Sequence, residues 1–93
     1  MKERFLPVGT VVTLKGADKK IMIIGYLPLR KDGALYDYSA CTFPEGILEI
    51  DKILMFNHDQ IDKINHIGLE NKEYTDFNNG ILNEYGLNKK NNG

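Results

Sequence analysis

The feature that most constrains this fold is a pair of β-branched runs joined by a tight turn. The first run covers residues 6–15 and the second covers Lys20–Tyr26, and both are rich in valine, isoleucine or threonine, which favour strands. The connection at residues 16–19 contains a glycine and an aspartate, which suit positive φ and local side-chain hydrogen bonds. The sequence therefore predicts a β-hairpin over residues 6–26.

Two further strands are predicted after the hairpin. A loop at residues 28–33 contains a proline and an Asp-Gly pair, and the alternating run Tyr36–Phe43 follows it, which is typical of a third antiparallel strand. Residues 44–46 interrupt the pattern again. The apolar run Lys52–Phe56 then predicts a fourth strand that is buried on both faces.

The next segment predicts a capped turn followed by a fifth strand. Asn57 and Gln60 have the spacing of a capping box. Isoleucines occupy every third position at 61, 64 and 67, which favours a helix. Residues 64–68 also fit a strand that leads into a glycine turn. Of these two we predict a strand over residues 62–68, in which His66 is partly buried.

A helix is predicted from Asn71 onward. Tyr74, Phe77, Ile81 and Tyr85 are spaced 3, 4 and 4 residues apart, so they share one helical face. That aromatic face is expected to dock on the sheet. A glycine at position 86 is the expected end of the helix.

The predicted fold class is α+β: a small antiparallel sheet or partly open barrel of four to five strands, with one C-terminal helix packed on it. Residues 1–86 are expected to form a single domain and residues 87–93 a frayed tail.

The single cysteine, Cys41, cannot form an internal disulfide, which favours a reducing cytoplasm. We interpret it as a buried structural thiol rather than a nucleophile. The sequence shows no apolar run long enough to span a bilayer.

Charge is distributed unevenly along the chain. Residues 1–31 carry seven lysines or arginines and two acidic residues, although the whole chain has a net charge of −1. The positive residues fall mainly at strand ends and turns, where lysine is ordinarily solvated. We therefore favour a solvated surface over a nucleic-acid patch, which requires clustering on one face.

The strongest candidate for chemistry is the triplet Asn57-His58-Asp59, because histidine beside a carboxylate can act as a general base. No nucleophile or metal ligand with a recognisable spacing accompanies it, and Cys41, Ser39 and His66 form no motif. A turn-stabilising role is favoured. The glycines form no phosphate-binding cluster. We predict no catalytic, metal or cofactor site, and hence a protein that is not an enzyme.

Tyrosines on paired strands are the candidate protein-binding residues. Tyr36 and Tyr38 share a face by the two-residue strand period, and exposed tyrosines suit an interface. The alternative is that they pack in the core under the C-terminal helix with Tyr74 and Phe77. The predicted protein-binding site comprises Tyr36, Tyr38, Pro44, Glu45 and Gly46.

An ordered series of short motifs resembles one known family. The motifs are Leu6-Pro7-Val8-Gly9-Thr10-Val11-Val12, Leu14-Lys15-Gly16, Lys20-Ile21-Met22-Ile23-Ile24-Gly25-Tyr26, Tyr36-Asp37-Tyr38, Pro44-Glu45-Gly46 and Phe56-Asn57-His58-Asp59. Their order and spacing resemble domain-of-unknown-function family 4176. The resemblance implies a small cytoplasmic Firmicute protein, often encoded beside type VII secretion genes and their LXG toxins. It also implies an accessory role, such as a chaperone or adaptor for the N-terminal helical region of such a toxin.

Two other functions stay open at this point. The segment at residues 7–16 also resembles the entry strand of small SH3-like barrels, some of which bind nucleic acid. An immunity protein would instead bind the C-terminal part of a neighbouring toxin. The resemblance transfers no functional residue to this chain, and the Asn78-Asn79-Gly80 stretch departs from it by weakening the helical stripe.

Overall fold

A computed structural model describes residues 5–82 of the chain, with side chains described up to residue 80. It contains an α+β fold, as predicted. The strands are β1 (Val11–Leu14), β2 (Lys20–Tyr26), β3 (Tyr38–Thr42), β4 (Leu54–Phe56) and β5 (Ile61–His66), and α1 covers Lys72–Phe77. Short 3₁₀ turns at Ile50–Lys52 and His58–Gln60 flank β4, and a π-helical turn at Asn78–Leu82 continues α1.

The five strands form one antiparallel sheet in the order β4-β3-β2-β1-β5. The predicted hairpin is confirmed, with Val12 opposite Ile21. Its first strand begins at Val11 rather than near residue 6, because a turn comes first. Gly9 has a φ of 95°, and the Thr10 N–H donates to the Pro7 carbonyl oxygen at 3.2 Å.

The sheet is open but must be strongly curled. In a flat sheet the four spacings between β4 and β5 would add up to about 19 Å. Only residues 57–60 connect these two edge strands, and they include a 3₁₀ turn, whereas even fully extended residues advance only about 3.5 Å each. The two ends of the sheet therefore approach each other where β4 leads into β5.

The core lies on the concave face of this sheet. Val12, Ile21, Ile23, Tyr38, Ala40 and Phe56 are buried there together with Phe5 and Leu6. Ile23 has no exposed surface, and Leu14 packs at the margin of the cluster. The N-terminal segment thus fills the concave side, which explains why residues 5–7 are buried although they lie in no strand.

Two predictions of burial are wrong. The fourth strand is not buried on both faces, since β4 lies at the sheet edge and 38% of both Leu54 and Met55 is exposed. His66 is exposed rather than partly buried, because β5 forms the opposite edge. The prediction of a strand near residues 62–68 is confirmed by β5 itself.

The C-terminal helix begins as predicted, with the Asn71 side chain accepting a hydrogen bond from the Tyr74 N–H at 2.9 Å. Tyr74 donates from its hydroxyl to the Phe5 carbonyl oxygen, and the Phe77 ring lies 6.1 Å from that of Tyr26. The first part of the aromatic stripe therefore docks on the sheet and the N-terminal segment. The predicted roles of the Ile81 side chain, Tyr85, Gly86 and the tail at residues 87–93 lie outside the described residues. Within residues 5–82 no helix has the length and apolar character needed to cross a membrane.

Candidate functional site

Tyr38 is a core residue, which corrects its prediction as an exposed interface anchor. Its side chain has no exposed surface. The hydroxyl accepts a hydrogen bond from the Leu6 N–H at 3.0 Å and lies 2.8 Å from His58 Nδ1. Burial raises the pKa of this hydroxyl well above its usual range. The alternative interpretation is confirmed in part: Tyr38 packs in the core, whereas the tyrosine whose ring contacts Phe77 of the helix is Tyr26.

Tyr36 lies outside β3, at the end of the loop that precedes this strand. Its hydroxyl accepts a hydrogen bond from Arg30 at 2.9 Å, and the Arg30 guanidinium lies 5.9 Å from the ring centroid. Arg30 also pairs with Asp32 at 3.2 Å. Tyr36 is therefore part of a polar loop cluster, and its role in partner binding stays a prediction.

The loop Pro44-Glu45-Gly46 lies at the opposite end of β3 from Tyr36. The Gly46 N–H donates to the Thr42 carbonyl oxygen at 2.8 Å, which closes a turn directly after the strand. Glu45 forms an exposed ion pair with Lys19 at 2.8 Å, and this lysine lowers the pKa of the Glu45 carboxyl. Since the intervening strand spans about 14 Å, the predicted site residues do not form one contiguous site.

The polar triplet at residues 57–59 is built as a turn. The Asn57 N–H donates to Gln60 Oε1 at 2.7 Å in a complete capping box. Asn57 Oδ1 accepts from the Asp37 N–H at 3.1 Å, and the His58 N–H donates to Asp37 Oδ2 at 2.8 Å. The predicted turn-stabilising role of Asn57 is confirmed. The two bonds to Asp37 also tie the turn after β4 to the residue that precedes β3.

The other candidate chemical residues do not converge on His58. Ser39 and Cys41 alternate along β3 with the inward-facing Tyr38 and therefore lie on its opposite face. Cys41 is buried with a free thiol, as predicted. Among the described residues, no three His, Cys, Asp or Glu side chains form a group that could hold a metal ion.

A surface that the sequence prediction missed lies beside the Pro44 loop and along β4. Five exposed apolar residues, here called the apolar ridge, fall within nine positions: Ile47, Leu48, Ile50, Leu54 and Met55. Leu48 is 78% exposed and Ile50 is 84% exposed. Several large exposed apolar side chains on one loop and the edge strand that follows it are a candidate interaction surface. One feature of the sequence could have revealed this surface: positions 47–55 contain more apolar residues than the three-residue strand β4 can bury.

The family model described as "Domain of unknown function (DUF4176)" matches residues 5–77, which include all five strands and α1. No curated protein and no solved structure matches the chain. Since the match covers most of the sequence and the whole sheet, this protein belongs to the domain-of-unknown-function family DUF4176.

Proposed function

We propose that this protein is a non-enzymatic binding module that acts in the cytoplasm as a chaperone or adaptor for an LXG-type toxin of the type VII secretion system. The observation that carries the proposal is the apolar ridge at the open edge of the sheet. Each large apolar side chain gains about 1.5–3 kcal/mol when it is fully removed from water. A partner that covers the ridge would therefore be bound mainly by apolar burial.

The proposed partner is the N-terminal helical region of the toxin. An export accessory must hold apolar surface that would otherwise be exposed before secretion, and the ridge provides a complementary surface. It lies on a loop and an edge strand, so a partner can reach it without disturbing the core cluster. The polar triplet at residues 57–59 contributes to the fold in this proposal and performs no catalysis.

Co-purification of the protein with the toxin's N-terminal region tests this function. Leu48→Lys is the informative variant and Leu69→Lys is the matched control, because these leucines are 78% and 76% exposed, and Leu48 belongs to the apolar ridge whereas Leu69 follows β5 in the chain. An interface anchor is worth more than about 1–2 kcal/mol. We expect Leu48→Lys to weaken binding at least about tenfold and Leu69→Lys to leave it unchanged.

The contrary results are equally specific. Equal effects of the two lysine substitutions would place the interface away from the ridge. Binding to the toxin's C-terminal region alone would support an immunity protein instead. Binding to nucleic acid that falls steeply with added salt would favour the SH3-like alternative.

A further inference from the structure

We propose that the partner is recognised by strand addition: an extended apolar segment with basic flanks pairs with β4 through the backbone of Met55. This inference rests on the proposed function and specifies its partner more narrowly. The segment that pairs with β4 is an extended stretch of the toxin's N-terminal region outside its helices, because the backbone groups of a helix are already paired and cannot extend a sheet. The inference assigns the contact to a single short strand and predicts the chemistry of the segment that this strand receives.

The direction of the backbone groups follows from the antiparallel register. The Phe43 N–H donates to the Lys20 carbonyl oxygen at 3.0 Å, toward β2. Backbone groups alternate in direction along a strand, so those of Cys41 also point toward β2, whereas those of Ala40 and Tyr38 point toward β4. Ala40 and Tyr38 pair with Leu54 and Phe56 of β4.

The Met55 N–H and carbonyl consequently point away from β3, toward the open edge. Within residues 5–82, β4 pairs with β3 alone. The extended conformation continues beyond the strand at both ends, with φ and ψ of −71° and 132° at Ile53 and of −102° and 156° at Asn57. The Asn57 N–H and carbonyl are already bonded to Gln60, so the edge presents the outward backbone groups of Ile53 and Met55, enough to pair with a short segment.

Side chains on both sides of this edge offer apolar contacts. Leu54 lies opposite Ala40 on the concave face, and Met55 lies opposite Ser39 on the other face. Because side chains alternate across a strand, an added strand would place apolar residues beside Leu54 on one face and beside Met55 on the other. Methionine adapts to irregular partners, which suits a docking edge.

The charges around this edge indicate basic flanks on the partner. Four carboxylates and one lysine lie within residues 44–60: Glu45, Glu49, Asp51, Asp59 and Lys52. Lys52 and Lys19 already pair with Glu49 and Glu45, whereas Asp51 and Asp59 are exposed at the two ends of β4. An apolar segment with lysine or arginine at its ends complements this pattern.

The same charges disfavour a second copy of the chain as the occupant. In an antiparallel self-pair centred on Met55, the turn that contains Asp51 in each copy would lie beside the turn that contains Asp59 in the other. Like charges placed opposite each other are destabilising. The edge is therefore assigned to a segment of different charge rather than to β4 of another molecule.

Titration of the full-length protein with two synthetic peptides tests the inference, with backbone amide signals followed by NMR. The first peptide is acetyl-Lys-Val-Thr-Val-Thr-Val-Lys-amide, and the second has N-methyl groups on all five valine and threonine amides, which remove the central N–H donors from both edges of the peptide. We expect the first peptide to bind, to shift the Met55 amide signal and to slow its exchange, and the second to bind at least about tenfold more weakly. Equal binding of the two peptides, or an unchanged Met55 amide with the first, would overturn strand addition.

Two variants apply the same test to the toxin complex. Met55→Pro removes an N–H that the sheet itself does not use, and edge strands tolerate proline at such positions. Met55→Ala keeps the N–H and removes only the side chain. We expect Met55→Pro to weaken binding at least about tenfold more than Met55→Ala does, with unchanged circular dichroism in both.

The outcomes separate the mode of binding from the function. If the toxin region binds and the two variants behave alike, strand addition fails while the proposed function stands. If the toxin region does not bind the wild-type protein, the proposed function fails, and the peptide titration alone decides whether β4 accepts a strand. Dimerisation of the protein alone that Met55→Pro abolishes would overturn the assignment to a basic segment.

Discussion

The two edges of the sheet face the same physical problem and differ in chemistry. An edge strand leaves backbone donors and acceptors unpaired, and proteins ordinarily protect it with charge, irregularity or short length. Strand β5 contains Asp62, Lys63, Asn65 and His66, which surround the exposed Ile64 with polar side chains. Strand β4 consists of leucine, methionine and phenylalanine.

The pairing of the two edges differs in regularity as well. Register shifts interrupt the β1–β5 ladder between Val11 and Val12 and between Thr13 and Leu14, whereas β4 pairs with β3 without a shift. Such irregularities discourage the addition of another strand. The comparison indicates that β5 is protected against association by polar side chains and irregular pairing, whereas β4 is limited by its short length and by the acidic residues at its two ends.

The largest expected effect tests whether β4 is a permanent part of the fold. Phe56 is buried against Tyr38, with ring centroids 5.1 Å apart. We expect Phe56→Ala to lower the free energy of unfolding by about 3–5 kcal/mol, because it leaves a cavity. Ile64→Ala, at a half-exposed position of β5, should cost much less. Urea denaturation measures both, and similar losses would contradict the assigned core.

The next effect concerns the attachment of the β5 end. A Cβ atom on Gly68 would lie 2.3 Å from the Val8 carbonyl oxygen, and the Gly68 N–H donates to Thr10 Oγ1 at 3.0 Å. Gly68→Ala should therefore destabilise the protein by about 1–3 kcal/mol through overpacking. Gly16→Ser serves as the comparison, because Gly16 has a φ of 78° and a Cβ atom there would meet nothing within 4 Å. A loss of stability in Gly16→Ser therefore reports backbone strain without crowding. A thermal melt in which Gly68→Ala matches the wild type would show that this contact is not close.

A smaller effect tests the protection of β5 by charge. Replacing Asp62 and Lys63 by threonine should leave the fold unchanged, because both side chains are exposed. The altered β5 edge should associate at high concentration, as unprotected edges do. Sedimentation velocity over a range of concentrations measures this association. A double variant that stays monomeric at every concentration would show that the register shifts alone protect this edge.

The smallest effect lies in the concave core, away from either edge. The Tyr26 hydroxyl donates to the Leu6 carbonyl oxygen at 2.7 Å, and burial is the largest cause that raises its pKa to about 12. Because folding favours the protonated hydroxyl, the stability that Tyr26 contributes is fully present below about pH 10, which is the pKa of an unfolded tyrosine. This contribution is lost as the pH rises toward the pKa of the folded state. We expect the free energy of unfolding of Tyr26→Phe to fall less steeply with rising pH in this range than that of the wild type. An identical slope in the two proteins would exclude Tyr26 as a contributor.

The fold was more predictable than the site. Local patterns sufficed for the hairpin, the capping box at Asn57 and the start of the helix at Asn71, because each depends on residues close in sequence. The position of a strand within the sheet depends on distant pairing. For that reason the apolar run ending at Phe56 indicated a central strand, although β4 lies at the edge.

The tyrosines show the same limitation at the site. Strand periodicity placed Tyr38 on a face but did not distinguish the concave face from the exposed one. That assignment depends on Phe5 and Leu6, which fold back more than 30 residues along the chain to cover Tyr38. The apolar ridge was missed for a related reason, because its first residues belong to a loop without a regular period.

In both proposals the partner binds at β4 and not at β5. Hydrogen–deuterium exchange of the protein, alone and in complex with the toxin's N-terminal region, tests this placement most directly. We expect slower exchange over residues 47–55, including the Met55 amide, and unchanged exchange over Ile61–His66. Protection of β5 with unchanged exchange over residues 47–55 would contradict it.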